Sequence, residues 1–331
     1  MHCKSFYLYF HVIFIFVFVL SCQNTKEKTQ KEQESMQLPI KAMPPAEKMR
    51  MLASFSDPDA QSPAIPNDLH ELLTALANPA GIPRETLYTA IRAYGKKALP
   101  ALFQVLAEGT HELRLAVVRL LGEMKEYAQD IIPQLVARLE NETVIQVRSM
   151  VVDSIVRLGQ YNETVKNALL RALNDAAWLV RWEAVRGIGN LGEKARELIP
   201  HLESRLTDAN NWVQLYAVIS IFKLAPMTDA IVNKAQKHLE TLTLDPDLRF
   251  RLNILGQIEH LPESTCPYTA FALARMLEDP EISVKRAAAK LFATCAPHVR
   301  RGDYEEILKK AALDADYSVR THASKALEQL P

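Results

Sequence analysis

The feature that most constrains this chain is a short phrase that returns seven times: an aliphatic residue, followed in most copies by a basic one, at the head of an apolar stretch. The copies are Leu113-Arg114, Val147-Arg148, Val180-Arg181, Val213-Gln214, Leu248-Arg249, Val284-Lys285 and Val319-Arg320. The second residues are separated by 34, 33, 33, 35, 36 and 35 positions. A period of this size is the mark of a stacked-repeat architecture, in which each unit contacts only its neighbours. The expected fold class is therefore all-α, an α-solenoid of about seven to eight helical hairpins.

One unit shows the grammar. Val165, Leu169, Leu170 and Leu173 recur at helical spacing, Asn174-Asp175-Ala176 interrupts, and a second helix carries Val180, Ala184, Ile188 and Leu191 on one face. Small residues such as Ala184, Gly187, Ala287 and Ala288 let paired helices approach closely. One hairpin cannot bury both of its faces, so neighbours must stack. The last stretch, from Val319, carries Thr321, Ser324, Lys325 and Glu328 away from its apolar side, as a terminal capping unit requires.

These residues resemble the HEAT repeat, particularly the bacterial HEAT-like units named after phycobilisome lyases. Leu198-Ile199-Pro200, Asp208, Val180-Arg181, Ala184 and Gly189 carry the likeness. It covers residues 97–331 well and 67–96 in a degenerate form, where Leu87, Ala90 and Gly95 keep part of the phrase. The resemblance implies a solenoid whose second helices line a concave face. It implies a non-catalytic scaffold with a protein or peptide partner. The lyase relatives imply an alternative: a lyase-like or chromophore- or small-ligand-binding protein.

The N-terminus points to export. Residues 1–21 open with His2 and Lys4, continue as an apolar run from Phe6 to Leu20, and lead to Cys22. That run is short for a membrane span and suits a signal peptide. Val19-Leu20-Ser21-Cys22 resembles the bacterial lipoprotein signal, which implies lipidation of Cys22 and a lipid anchor in the cell membrane or outer membrane. Residues 22–66 then read as a polar, Pro-containing tether. As a flexible coil its 44 residues from 23 to 66 span roughly 35–40 Å. Within it, residues 46–55 carry Met49, Met51, Leu52 and Phe55 and can form a short helix.

The chain carries 39 basic and 39 acidic residues, so no general electrostatic attraction to nucleic acid is expected. It has no Gly-rich phosphate loop and no Gly-x-Ser-x-Gly or His-Glu-x-x-His motif, so no catalytic residue, metal or cofactor is expected. His70-Glu71 and His111-Glu112 invite comparison with deoxyhypusine hydroxylase, a repeat enzyme whose di-iron centre uses such pairs inside second helices. The corresponding positions here are Leu115-Ala116, Ser149-Met150, Trp182-Glu183 and Leu215-Tyr216.

Three constellations remain. Cys266 and Cys295 fall at opposite ends of two successive helices; they either pair as a disulfide or fill the core separately. An acidic residue stands six positions before the second residue of the phrase in Glu108/Arg114, Asp175/Arg181, Asp208/Gln214, Asp279/Lys285 and Asp314/Arg320. Such a series reads either as a charged ligand-binding ladder or, as expected here, as structure: the acid caps the second helix, and the base binds turn carbonyls or a neighbouring unit's acid. Finally, positions two and six after each aliphatic anchor bring Trp182, Leu215, Ile219, Phe250 and Ile254 to the concave face. Arg119, Arg186, Arg286, Lys290 and Lys325 border them. Aromatic anchors with basic flanks make a candidate binding groove, unless they pack between neighbouring second helices.

Overall fold

The computed structural model describes residues 65–226 and 230–331. The signal peptide expected over 1–21, the lipidation site Cys22, the helix expected over 46–55 and nearly all of the 22–66 tether lie outside the described residues. Ile65–Pro331 form one compact unit. Every regular element among the described residues is helical.

The helices pair into antiparallel hairpins along the chain. The first is α1 (Leu69–Ala77) with α2 (Arg84–Arg92), the second α3 (Leu99–Glu108) with α4 (His111–Leu121). The third is α5 (Ala128–Asn141) with α6 (Ile145–Arg157), the fourth α7 (Glu163–Leu173) with α8 (Trp178–Leu191). The fifth joins the short α9 (Ile199–Glu203) to α10 (Asn211–Leu224), and the sixth α11 (Ala230–Leu242) to α12 (Leu248–Ile258). The seventh is α13 (Cys266–Met276) with α14 (Ile282–Cys295), and the eighth α15 (Arg301–Ala311) with α16 (Tyr317–Gln329).

Local chemistry sets the helix starts. The side chains of Asp68, Thr110, Asn162, Asn210, Asp247 and Asp316 each accept an amide hydrogen in the first turn that follows. Pro100, Pro200 and Pro267 sit at the first positions of α3, α9 and α13, where the missing N–H costs no hydrogen bond.

Packing is by second helix against second helix. α4, α6, α8 and α10 run side by side, as do α12, α14 and α16. Two of these contacts are made by glycine and serine. Ser154 Oγ donates to the Val118 carbonyl at 2.9 Å, and Ser220 Oγ donates to that of Val185 at 2.9 Å. In each case a glycine four residues after the carbonyl lets the serine in. A Cβ on Gly122 would lie 2.9 Å from Ser154 Cα, and one on Gly189 would lie 3.1 Å from Ser220 Cα. Gly189→Val therefore forces α8 and α10 apart, and the expected loss is about 1–3 kcal/mol. A chemical-denaturation series showing Gly189→Val as stable as wild type would contradict this close approach.

Cys266, the first residue of α13, and Cys295, the last of α14, are joined by a disulfide across Cα atoms 5.1 Å apart. Both are also buried in the core, so the bond staples the seventh hairpin at one end without leaving it. On α16, Thr321, Ser324, Lys325 and Glu328 are all exposed.

Candidate functional site

The phrase and its acids form a ladder along the turns that join the two helices of each hairpin. In every unit from the second onward the basic or amide residue is the fourth of the second helix. Arg181 shows the pattern. Its Nη1 donates to the carbonyls of Asp175 and Ala176 in its own turn, at 2.9 and 3.0 Å. Its Nε and Nη2 each reach a carboxylate oxygen of Asp208, in the next unit, at 2.8 Å. Arg114 pairs in the same bidentate way with Glu142, Arg148 with Asp175, and Arg251 with Asp279, while Lys285 reaches Asp314 at 2.8 Å. Each Arg thus ties its own turn to the following unit, which a planar five-donor fork does well.

The acids do not cap the second helices as expected. One oxygen of Glu142, Asp175, Asp208, Asp245, Asp279 and Asp314 accepts the amide two residues on, closing the turn before the helix starts. Glu108 is not a member of the ladder; it accepts from Gln104 on its own helix. The six-residue offset holds instead for Glu142 before Arg148 and Asp245 before Arg251, two pairs absent from the sequence reading.

Charge follows geometry. Burial would raise the Glu142 carboxyl, but Arg114, the Val144 amide and Arg138 outweigh it and hold it at about 2. Asp175 and Asp208 are lowered against the same burial by Arg148 and Arg181 respectively.

The expected groove is corrected in two ways. First, the sixth hairpin is out of register by two residues: Arg251, not Arg249, is the fourth residue of α12 and binds the carbonyls of Asp245 and Pro246. Phe250 is therefore the aliphatic anchor's equivalent and points into the core, with Ile254 one turn on; they are 2% and 0% exposed. Phe250 meets Trp212 edge to face, 4.9 Å between ring centres. Second, Leu215 and Ile219 are correctly aligned yet buried, because α10 is apolar nearly all round and packs against α8, α9 and α11.

Trp182 is half-buried, its ring edge to face with Tyr216 at 5.2 Å and beneath the Arg186 guanidinium at 5.5 Å. Four of the five border cations pair with acids of neighbouring units, while Lys325 has no ion-pair partner among the described residues. Arg119 faces Glu85 at 3.6 Å, Arg186 faces Asp153 at 2.7 Å, Arg286 faces Asp316 at 2.5 Å and Lys290 faces Glu259 at 3.0 Å. The structure thus brings Trp182 and Arg186 together but opens no apolar groove through Leu215, Ile219, Phe250 and Ile254.

At the centre of this face two buried carboxylates share one guanidinium. Arg186 contacts Asp153 and, through Nε at 3.1 Å, Glu183. Burial pushes the Glu183 carboxyl up to about 7, more than Arg186 can offset. An ordinary glutamate titrates near 4.5, so above pH 7 Glu183 is charged in both folded and unfolded chains and the folded state bears the cost. That cost vanishes as pH falls to 4.5. Below that, Glu142, held at about 2, begins to lose its contribution, so these two groups together favour the fold most at about pH 5. Glu183→Gln is expected to gain about 1–3 kcal/mol at pH 8 and almost nothing at pH 4.5. A pH series of melting temperatures checks this; a loss at pH 8 would mean that the ion pair outweighs the burial.

His70-Glu71 lie on α1 and His111-Glu112 open α4. Among the described residues no cluster of His, Cys, Asp and Glu is arranged to hold a metal, and no helix is long and apolar enough to cross a membrane.

Residues 132–223 match the family model for HEAT repeats. The fold is similar to the X-ray structure of the Escherichia coli protein YibA, with a TM-score of 0.56 at 14% identity. The match covers 78% of this chain and 92% of that one. No curated protein matches the sequence.

Proposed function

We propose that this chain is a non-catalytic, protein-binding scaffold of the cell envelope, held to a membrane by a lipid on Cys22. The observation that carries the binding half is an apolar row along the turn edge of the last three hairpins. Leu244 lies in the α11–α12 turn, Ile282 opens α14, Leu313 lies in the α15–α16 turn and Tyr317 opens α16. Their exposures are 60%, 41%, 84% and 75%. The ladder sets successive turns side by side, so these residues recur once or twice per unit along one edge. Large apolar side chains gathered on an otherwise well-paired surface mark a contact surface for another protein. The second-helix face is a poorer candidate, since Leu215, Ile219, Phe250 and Ile254 are core and Arg119, Arg186, Arg286 and Lys290 are already paired.

Two measurements test the two halves. Labelling cells with an alkyne fatty acid should tag the wild-type protein and not Cys22→Ser; equal labelling of both removes the anchor. Proteins cross-linked to the mature chain in its own envelope fraction should be lost with Leu313→Asp/Tyr317→Asp, two exposed sites, while the melting temperature stays that of wild type. Unchanged cross-linking would remove the turn edge as the contact surface.

A further inference from the structure

We infer that the cleft between the fifth and sixth hairpins takes an arginine side chain from a peptide segment of the partner. This rests on the protein-binding reading above and names the chemistry of one contact. The ladder is interrupted at one step. Gln214 stands where Arg114, Arg148, Arg181 and Arg251 stand in their units: it is the fourth residue of α10 and donates to the Asp208 carbonyl at 2.6 Å, as Arg181 does to that of Asp175. It carries no charge toward the next unit.

The acid on the other side of that step is retained. Asp245 is the ladder acid of the sixth hairpin by every internal criterion. Its carbonyl accepts from Arg251, and its Oδ1 accepts the amide of Asp247 at 2.9 Å. The equivalent carboxylates of Glu142, Asp175, Asp208, Asp279 and Asp314 each bind a cation from the preceding unit. Asp245 instead accepts the neutral Asn211 amide at 2.6 Å. Neither Asp245 nor Asp247 has an ion-pair partner among the described residues.

The seam is also physically open. α10 and α12 meet more sparsely than any other neighbouring second helices from α4 to α16. A cleft of about 330 Å³ lies there, lined by Asn210, Asn211, Trp212, Asp245, Asp247 and Phe250. Two carboxylates line it, that of Asp247 also capping α12, two amides flank them, and the Trp212 ring, packed edge to face with Phe250, forms a wall. The carboxylates match a planar, delocalised cation, which pairs with them in a fork as the chain's own arginines do at the filled steps. The exposed Leu244, next to Asp245, continues the cleft into the apolar row of the turn edge. A partner's arginine would complete across this seam the bridge that the chain's own arginines make elsewhere.

The test uses N-acetylarginine amide as the probe, titrated into the full mature protein and followed by amide chemical-shift changes. N-acetylcitrulline amide, of the same shape without the charge, is the control. The expected result is a saturable shift with the arginine probe at residues lining the cleft and none with citrulline. Asp245→Asn should weaken the response about tenfold or more. Gln214→Arg should raise the melting temperature and abolish the response, because the chain then fills the cleft itself. A citrulline response equal to that of arginine, or an arginine response that survives in either variant, overturns the assignment. Failure of the broader reading looks different: no partner cross-links to the wild-type chain, while the arginine titration still gives its own answer.

Discussion

Replacing Phe250 with alanine lowers the free energy of unfolding by about 3–5 kcal/mol. The ring is almost wholly buried, stands against Trp212, and occupies the position that valine fills in five other units. Removing it empties core volume at the seam, where α10 and α12 already pack sparsely and little nearby can collapse into the space. Denaturant melts give the value directly. A variant as stable as wild type, with impaired partner binding, would restore Phe250 to a surface role and undo the register assigned to α12.

The second large effect is expected at Arg251. Its guanidinium and the Asp279 carboxylate are 9% and 6% exposed, and of the ladder pairs they alone have both residues buried. Arg251→Ala leaves the buried carboxylate without its cation and the turn carbonyls of Asp245 and Pro246 without donors. The cost of removing one partner of such a pair is about 3–5 kcal/mol. Arg249, two residues away and exposed on the same helix, serves as the control: Arg249→Ala should stay within about 0.5 kcal/mol of wild type. Equal effects at the two positions would show that the ladder does not pass through Arg251.

These two positions also show how far the sequence could be read. The repeat period and the hairpins were legible because a helical face repeats every three to four residues and a stack repeats every unit. The register of the sixth hairpin was not, because Leu248-Arg249 fits the aliphatic–basic pattern and Phe250-Arg251 differs from it only in an aromatic anchor. The signal that separates them is the acid six residues earlier: Asp245 lies at that distance from Arg251, whereas Thr243 does from Arg249. The same offset would have found Glu142 before Arg148. Burial of Leu215 and Ile219 was harder to foresee. α10 has almost no polar face, so its sequence carries no contrast to say which apolar side chains meet solvent. Pairing of Arg119, Arg186, Arg286 and Lys290 was hidden for a different reason. Their partners stand about one repeat away in sequence and become neighbours only when the units stack.

The broken step at Gln214 acquires meaning only against the intact ones. A lone Gln on a helix, or a lone Asp in a turn, suggests nothing about a ligand. Set beside the filled steps on either side, they define a carboxylate that lacks the cation its equivalents hold.

The claim on which the rest depends is that the recurring basic residue ties consecutive units together. A double-mutant cycle on Arg181 and Asp208, measured by denaturant unfolding of Arg181→Ala, Asp208→Ala and the double variant, tests it most directly. The ladder predicts a coupling energy of at least about 1.5 kcal/mol between the two side chains. A coupling near zero would contradict it and return the recurring arginines to the surface as free cations.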